Sequence, residues 1–484
     1  MERAHQLSAA QGKERLQLIA ARERMHLSLE EVAQHLGVSK TTVYRWEKKG
    51  DFPQPYHLRE LCMLFGATAR ELGFDEKHTV DVQTINHAES EEDECVLTFR
   101  QQNLISRLMR IVWNYPLNDA RYQELQLLVT LELEDNSMNT DEISRRDALR
   151  FLALVPVDML GLSQSGAIFK KGVSYEDILK HCAAGIVACW HLRKGKELTF
   201  ADLAVSKYIP TLKAMAHSAP IPQRKTAADL LAQCFLLKST LSRHLDASNE
   251  AVSYAQQAET YGEQAASFLL RILALRTLAA SHYYANRWIP ALQAAEKAKS
   301  LLEERGRQDK QKQPFVASSQ PAEEPLPQLV YSYVYAGLAT YQARNGHKED
   351  ALLSLKKAHN TFSDEQVPIW IDHNPANLVL NDGMVHYYLG LYQGAIDSFT
   401  QISAIPTRSD SIYAESLINR VMAEISRDDG SRDMQWCIDH WIQGVEGAKA
   451  LQSQQRMNEA IQAYTAMCIA WPAEKQVKNL REYI

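Results

Sequence analysis

Residues 28–50 read SLEEVAQHLGVSKTTVYRWEKKG, and their pattern decides how the start of the chain folds. Ser28 and Glu31 form an S-x-x-E capping box, in which hydroxyl and carboxylate satisfy free backbone donors at a helix start. Gly37 ends that helix, where a left-handed backbone is easiest for glycine. Ser39 caps the next helix. Val32, Leu36, Val38, Val43 and Trp46 fall on the inward sides, which leaves Lys40, Thr41, Thr42, Tyr44 and Arg45 on an outer face. The stretch predicts two short helices joined by a tight turn.

Upstream, KERLQLIAARERM (13–25) predicts a helix with Leu16, Ile19 and Ala20 on one face and Arg15, Arg22 and Glu23 beside it. Downstream, Gly50, Pro53 and Pro55 mark a loop, and Leu58, Leu61, Leu64 and Phe65 recur at helical spacing. These elements make a small head at 1–78. An acidic segment without apolar periodicity reads as a linker at 79–95. Residues 96–225 read as a helical connecting and oligomerisation region, including an amphipathic helix starting after Ser144. Ser144-x-x-Asp147, Ser174-x-x-Asp177, Thr199-x-x-Asp202 and Thr226-x-x-Asp229 read as helix starts. Strand-like alternation is absent, so the fold class is all-α.

With 484 residues the chain exceeds one compact core. A net charge of −6 excludes a general polyanion binder, so any nucleic-acid contact must be local. Residues 39–50 supply such a patch: Lys40, Arg45, Lys48 and Lys49 against Glu47. The seven cysteines are scattered without a CxxC and read as free thiols of a reducing cytosol. The N-terminus shows no secretory signal, and the longest apolar run, 151–162, is too short to span a bilayer. A cytoplasmic protein without membrane contact is expected.

From residue 226 to 484 paired helical segments recur: 277–302, 336–362 and 382–403 each show small and aromatic residues, a turn, then Ala-Leu or Ala-Ile and a second apolar helix. Aligning the alanines at the second helix gives Ala251, Ala291, Ala351 and Ala395, at spacings of 40, 60 and 44. The segments resemble tetratricopeptide repeats in degenerate form, with a charged, Pro-rich insertion at 304–328 read as a flexible loop. A non-repeating helical bundle is the competing reading.

The head resembles the Xre family, the phage-repressor and Cro type of helix-turn-helix, on LEEVAQHLGVSKTTVYRWEKKGDFP and the apolar residues around it. The resemblance implies that Arg22 and Glu47 pair, and that double-stranded DNA is the partner. It assigns base reading to Lys40, Thr41 and Arg45, because lysine or arginine donates to guanine O6 and N7 and threonine meets the thymine methyl. Thr42, Tyr44, Lys48 and Lys49 fall to phosphates, which orient without reading sequence. Leu29 stands where the family commonly has a phosphate-binding glutamine. So small a patch calls for two half-sites, hence a homodimer.

A head of this kind on a repeat body is similar in architecture to the peptide-pheromone-sensing regulators of Gram-positive bacteria, which implies a body that dimerises and binds a short peptide. Tyr331, Tyr333, Tyr335 and Tyr341 with Asn345, Asn374, Asn377 and Asn381 are candidates to line such a groove; the competing and favoured reading is that the tyrosines pack between repeats. No phosphate loop, dinucleotide fingerprint or H-E-x-x-H occurs. His181, Cys182, Cys189 and His191 do not have zinc-ligand geometry, since residues 182 and 189 lie about 10 Å apart along a helix. No enzyme, cofactor or metal is expected. The sequence thus reads as a DNA-binding transcriptional regulator whose body senses a peptide, small ligand or protein partner. The alternative is an interaction scaffold whose head does not bind DNA.

Overall fold

The computed structural model describes residues 15–74, 104–134, 142–159, 174–311 and 325–484, apart from 26, 37, 50, 54, 66, 68–71, 105, 106, 113, 116–121, 195, 196, 428, 429 and 431 within those spans. Every regular element among the described residues is a helix. The chain divides into two compact units, Met1–Glu94 and Cys95–Ile484. The acidic segment at 79–95, Gly37 and Gly50 lie outside the described residues.

The first unit holds α1 (Leu16–Arg24), α2 (Leu29–His35), α3 (Lys40–Lys48) and α4 (Pro55–Phe65). Ser28 Oγ accepts from Glu31 N–H while Glu31 Oε2 accepts from Ser28 N–H, closing the capping box. Ser39 Oγ accepts from Thr42 N–H at the start of α3. Leu18, Val32, Leu36, Val43, Trp46 and Leu61 are buried together, with Leu72 and Phe74 closing the core from the end of the unit.

The second unit adds helical backbone at 107–112, then α5 (Tyr122–Glu134), α6 (Glu142–Met159), α7 (Tyr175–Lys194) and α8 (Leu198–Ser218). Helix α7 is buried on all sides from His181 to Leu192. Between α5, α7 and α9 (Ile221–His244) runs a buried polar chain. Gln126 Nε2 donates to Gln233 Oε1 (2.8 Å), and Gln233 Nε2 to Asp229 Oδ1 (2.8 Å).

Helix pairs follow: α9 with α10 (Ser248–Gln264), α11 (Phe268–Tyr284) with α12 (Trp288–Gln311), α13 (Gln328–Arg344) with α14 (Lys348–Thr361). Next come α15 (Pro375–Tyr388) with α16 (Tyr392–Ile402), α17 (Asp410–Ile425) with α18 (Met434–Ala450), and α19 (Gln454–Ala470) with the short α20 (Lys475–Asn479). One turn recurs. Asp246, Ala266, Asn286, Gly346, Gly390 and Gln452 have φ between +52° and +83°. The residue after each donates its N–H five positions back, at 2.8–3.1 Å, to a helix-end carbonyl. This is the Schellman stop. Ala251, Ala291, Ala351 and Ala395 each lie five residues past such a turn and are fully buried. A larger side chain there would push the second helix off the first, which is why alanine recurs.

Four expected boundaries differ. Helix α6 starts at Glu142, ahead of Ser144. Helix α8 starts at Leu198 beyond Glu197, so Thr199 is inside it; Asp202 is drawn instead to Lys238 Nζ at 2.6 Å. Thr226 and Asp229 sit within α9, because Pro220 and Pro222 open that helix and Thr226 Oγ1 bonds back to the Pro222 carbonyl. The 304–328 insertion begins as helix: α12 runs to Gln311, with Arg305 buried over the Phe268 ring. Residues 312–324 lie outside the described residues.

Candidate functional site

Helix α3 sorts its side chains by period. Val43, Trp46 and Glu47 are buried, whereas Lys40, Thr41, Tyr44, Arg45 and Lys49 are exposed. Glu47, 1% exposed, is an acid in an apolar core. Its Oε1 accepts from Arg22 Nε at 2.7 Å and its Oε2 from Arg22 Nη2 at 3.2 Å, a two-pronged pair joining α1 to α3. Arg22 Nη1 also donates to the Leu27 carbonyl, and the bond to Glu47 raises the arginine's proton affinity. The head's geometry is thus pinned from beneath the exposed helix.

Arg15, assigned no role from sequence, does comparable work at the far end of α3. It donates to the carbonyls of Trp46 (2.8 Å), Asp51 (2.5 Å) and Gly73 (3.2 Å) and lies 4.3 Å over the Phe74 ring. A cation at the negative end of a helix is favourable, but partners up to 58 positions away leave no local spacing to read.

The exposed cations are not idle. Lys40 Nζ meets Glu30 Oε2 at 2.7 Å, and Arg45 Nη2 meets Asp51 Oδ2 at 2.6 Å. Lys40 and Arg45 remain 58% and 57% exposed, so these are surface pairs contributing about 0–1 kcal/mol and readily exchanged. Thr42 is half-buried and its hydroxyl lies 2.8 Å from Ser39 Oγ, within the cap. Lys48 is half-buried. Leu29 packs at the edge of the core.

In the second unit, helices α7, α9, α11, α13, α15, α17 and α19 surround a cavity of about 160 Å³. Tyr333, Tyr341, Asn377 and Asn381 line it; Asn345 and Asn374 do not. Asn345 Nδ2 donates to the carbonyls of Tyr341 and Trp288, fastening a turn. Asn374 and Asn377 form a capping box at α15. Asn381 Oδ1 accepts from Thr340 Oγ1. Tyr335 donates to Glu303, away from the cavity. Burial, then the neighbouring Arg276, lowers His373 to a pKa of about 3 against the opposing pull of Asp372.

His181, Cys182, Cys189 and His191 are buried in α7, where burial raises both thiols. Among the described residues no three His, Cys, Asp or Glu side chains form a cluster able to hold a metal ion. None of the helices described there is long and apolar enough to cross a membrane.

Against known proteins, the HTH_3 family model, described as Helix-turn-helix, matches residues 18–72. No curated protein sequence matches the chain. Among solved structures, a signal transduction ATPase with numerous domains and a tetratricopeptide repeat sensor, from Pyrococcus horikoshii, aligns over 98% of this chain at 11% identity and TM-score 0.33. The chain spans 65% of that protein's length. The APC/C hetero-tetramer Cut9–Hcn1 aligns over 97% of this chain and 83% of its own at 13% identity and TM-score 0.31. At such TM-scores neither likeness bears on function, and the repeat character of the body stands on its recurrent turns and alanines. Residues 18–72 are a helix-turn-helix domain, on an all-α body of tetratricopeptide-like helix pairs.

Proposed function

We propose that this chain is a sequence-specific DNA-binding transcriptional regulator without catalytic activity of its own. Its helical body senses a peptide, small ligand or protein partner and, in a homodimer, sets the spacing of two heads. The observation that carries the reading is the outer face of α3, where Lys40, Thr41, Tyr44 and Arg45 stand exposed over a core pinned by Arg22 and Glu47. Lys40, Thr41 and Arg45 read base edges; Tyr44, Lys48 and Lys49 meet phosphates, with Thr42 N–H and hydroxyl held in the cap beside them. DNA phosphates and bases would replace Glu30 and Asp51 as partners of the two cations. A ligand that favours one body arrangement then shifts the population of dimers matching the half-site spacing.

The test is binding of the full chain to duplex across salt, followed by selection of the preferred sequence. Wild type binds random duplex at low salt with affinity falling as salt rises, and Lys40→Glu with Arg45→Glu abolishes specific binding while helicity is unchanged. The Lys40–Glu30 and Arg45–Asp51 pairs favour a second reading, an interaction scaffold with a neutralised head. Wild type that ignores duplex at low salt establishes that reading instead.

A further inference from the structure

The cavity of the body collects cations that its own acids do not match. Four arginines line it, Arg193, Arg243, Arg276 and Arg456, against two carboxylates, Asp372 and Glu415. Both carboxylates are already taken: Asp372 by Arg193, and Glu415 by Arg456 at 2.6 Å, with the Tyr284 hydroxyl donating to Glu415 at 3.0 Å. Arg243 and Arg276 have no carboxylate partner among the described residues. Arg276 is only 9% exposed. Its Nη1 donates to the Tyr341 hydroxyl (2.8 Å), its Nε points to the Tyr333 carbonyl (3.4 Å), and its guanidinium lies 4.7 Å from the Tyr333 ring centre. Arg243 has one long hydrogen bond, Nη2 to Thr240 Oγ1 at 3.5 Å, and its guanidinium lies 5.3 Å from the Tyr284 ring centre, while its Nε is sealed without a hydrogen-bond partner.

Burying a cation without a counter-charge costs several kcal/mol unless something offsets it. The fold nonetheless makes room for this one. Gly337 sits in mid-helix α13, where a Cβ would fall 2.3 Å from Arg276 Nε. A glycine there gives up roughly 1 kcal/mol of helix propensity to keep the guanidinium in place. Burial followed by the nearby arginines lowers His244, so this imidazole adds little cation to the cavity. Burial also lowers Arg243 against the opposing pull of Tyr284, Tyr333 and Tyr341, whereas at Arg276 burial is outweighed by the pull of Tyr341 and Tyr333, which raises it.

We propose that Arg243 and Arg276 form the binding site for a small oxyanion-bearing ligand, a carboxylate or phosphate group held between the two guanidinium forks and flanked by the rings of Tyr333 and Tyr341. The space admits about ten water-sized positions, enough for a small molecule and too little for a folded partner. Planar forks suit an oxyanion better than amines do, because two parallel N–H bonds reach both oxygens. This deepens the sensing half of the proposed function, naming the chemistry of what is sensed, and rests on that reading only for its consequence at DNA.

The experiment is thermal unfolding of the full chain with succinate or inorganic phosphate titrated at constant ionic strength, chloride making up the balance. A saturable rise of the midpoint is expected with at least one of the two, and which one assigns the group as carboxylate or phosphate. The rise is lost in Arg243→Gln and in Arg276→Gln and kept in Lys356→Gln, an exposed control. If either glutamine variant does not fold, Arg243→Lys and Arg276→Lys carry the test: charge stays, the fork goes, and the half-saturating concentration increases about tenfold. No saturable rise with either anion, or an equal rise in the arginine variants, overturns the site. Saturable binding with operator affinity unchanged leaves the site standing and removes the sensing reading.

Discussion

At the scale of single residues, the head depends on a charge it has buried. Glu47 has lost its water and is held by two hydrogen bonds from Arg22. Arg22→Ala removes both, together with the bond to the Leu27 carbonyl, and leaves a carboxylate in an apolar core, so it destabilises the head by about 3–5 kcal/mol. Glu47→Gln keeps one acceptor and costs less. Hydrogen exchange at α1 and α3 amides in the full chain ranks the two; equal protection in both variants contradicts the argument. Gly337→Ala gives a second ranking. Helix propensity alone says that alanine stabilises by roughly 1 kcal/mol. The methyl would meet the Arg276 guanidinium at 2.3–2.6 Å, so the urea midpoint falls instead. What was legible at this scale followed helical period: the inward apolar set of α2 and α3, and the outward cations. Arg15 and Arg276 were not legible, because their partners lie tens of positions away and nothing local distinguishes them from solvated arginines.

At the scale of elements, one turn recurs through the body, and the six copies with a left-handed residue among the described residues do not share a sequence. Gly346, Gly390, Asn286 and Asp246 are residue types that tolerate a left-handed backbone, whereas Ala266 and Gln452 adopt it against their preference. Ala266→Gly therefore stabilises by about 1 kcal/mol, reduced by the extra freedom glycine gains in the unfolded chain. Gly390→Ala costs about as much through backbone conformation alone, since a Cβ there meets nothing within 4 Å. Paired urea midpoints check both signs. The same contrast explains the reading of the repeats. The alanines at 251, 291, 351 and 395 announced the helix pairs because close packing leaves no choice of side chain. The S/T-x-x-D pattern marked a true start at Ser174, where Oγ accepts from Asp177 N–H. It misled at Thr199 and Thr226, where Lys238 and Gln233 claim the aspartates from other turns and prolines or flanking residues open the helices.

At the scale of the whole molecule, a net charge of −6 conceals cations gathered from helices between positions 193 and 456, so composition could not show them. Buried titration in the body has a measurable pH signature. Burial lowers His181 to about 4 and His373 to about 3, so between pH 6.5 and 4 the unfolded chain binds protons that the fold refuses. Stability is present above pH 6.5 and is lost as pH falls, on the order of 3 kcal/mol for each histidine by pH 4. Asp229 runs the other way. Burial raises it to about 6 against the hydrogen bonds from Tyr122 and Gln233. Its contribution is fully present below pH 3.8 and lost as pH rises through 6, so at neutral pH the aspartate opposes folding. Asp229→Asn keeps the Oδ1 acceptor for Gln233 and carries no charge to bury. The variant should be more stable than wild type by about 3 kcal/mol at pH 7.5, with the gap closing as pH falls from 6 and gone below about 3.8. Denaturant midpoints of the two proteins across that range measure it directly. A pH-independent gap would mean that packing sets the difference, and a variant less stable at pH 7.5 would mean that the charged hydrogen bonds outweigh the cost of burial.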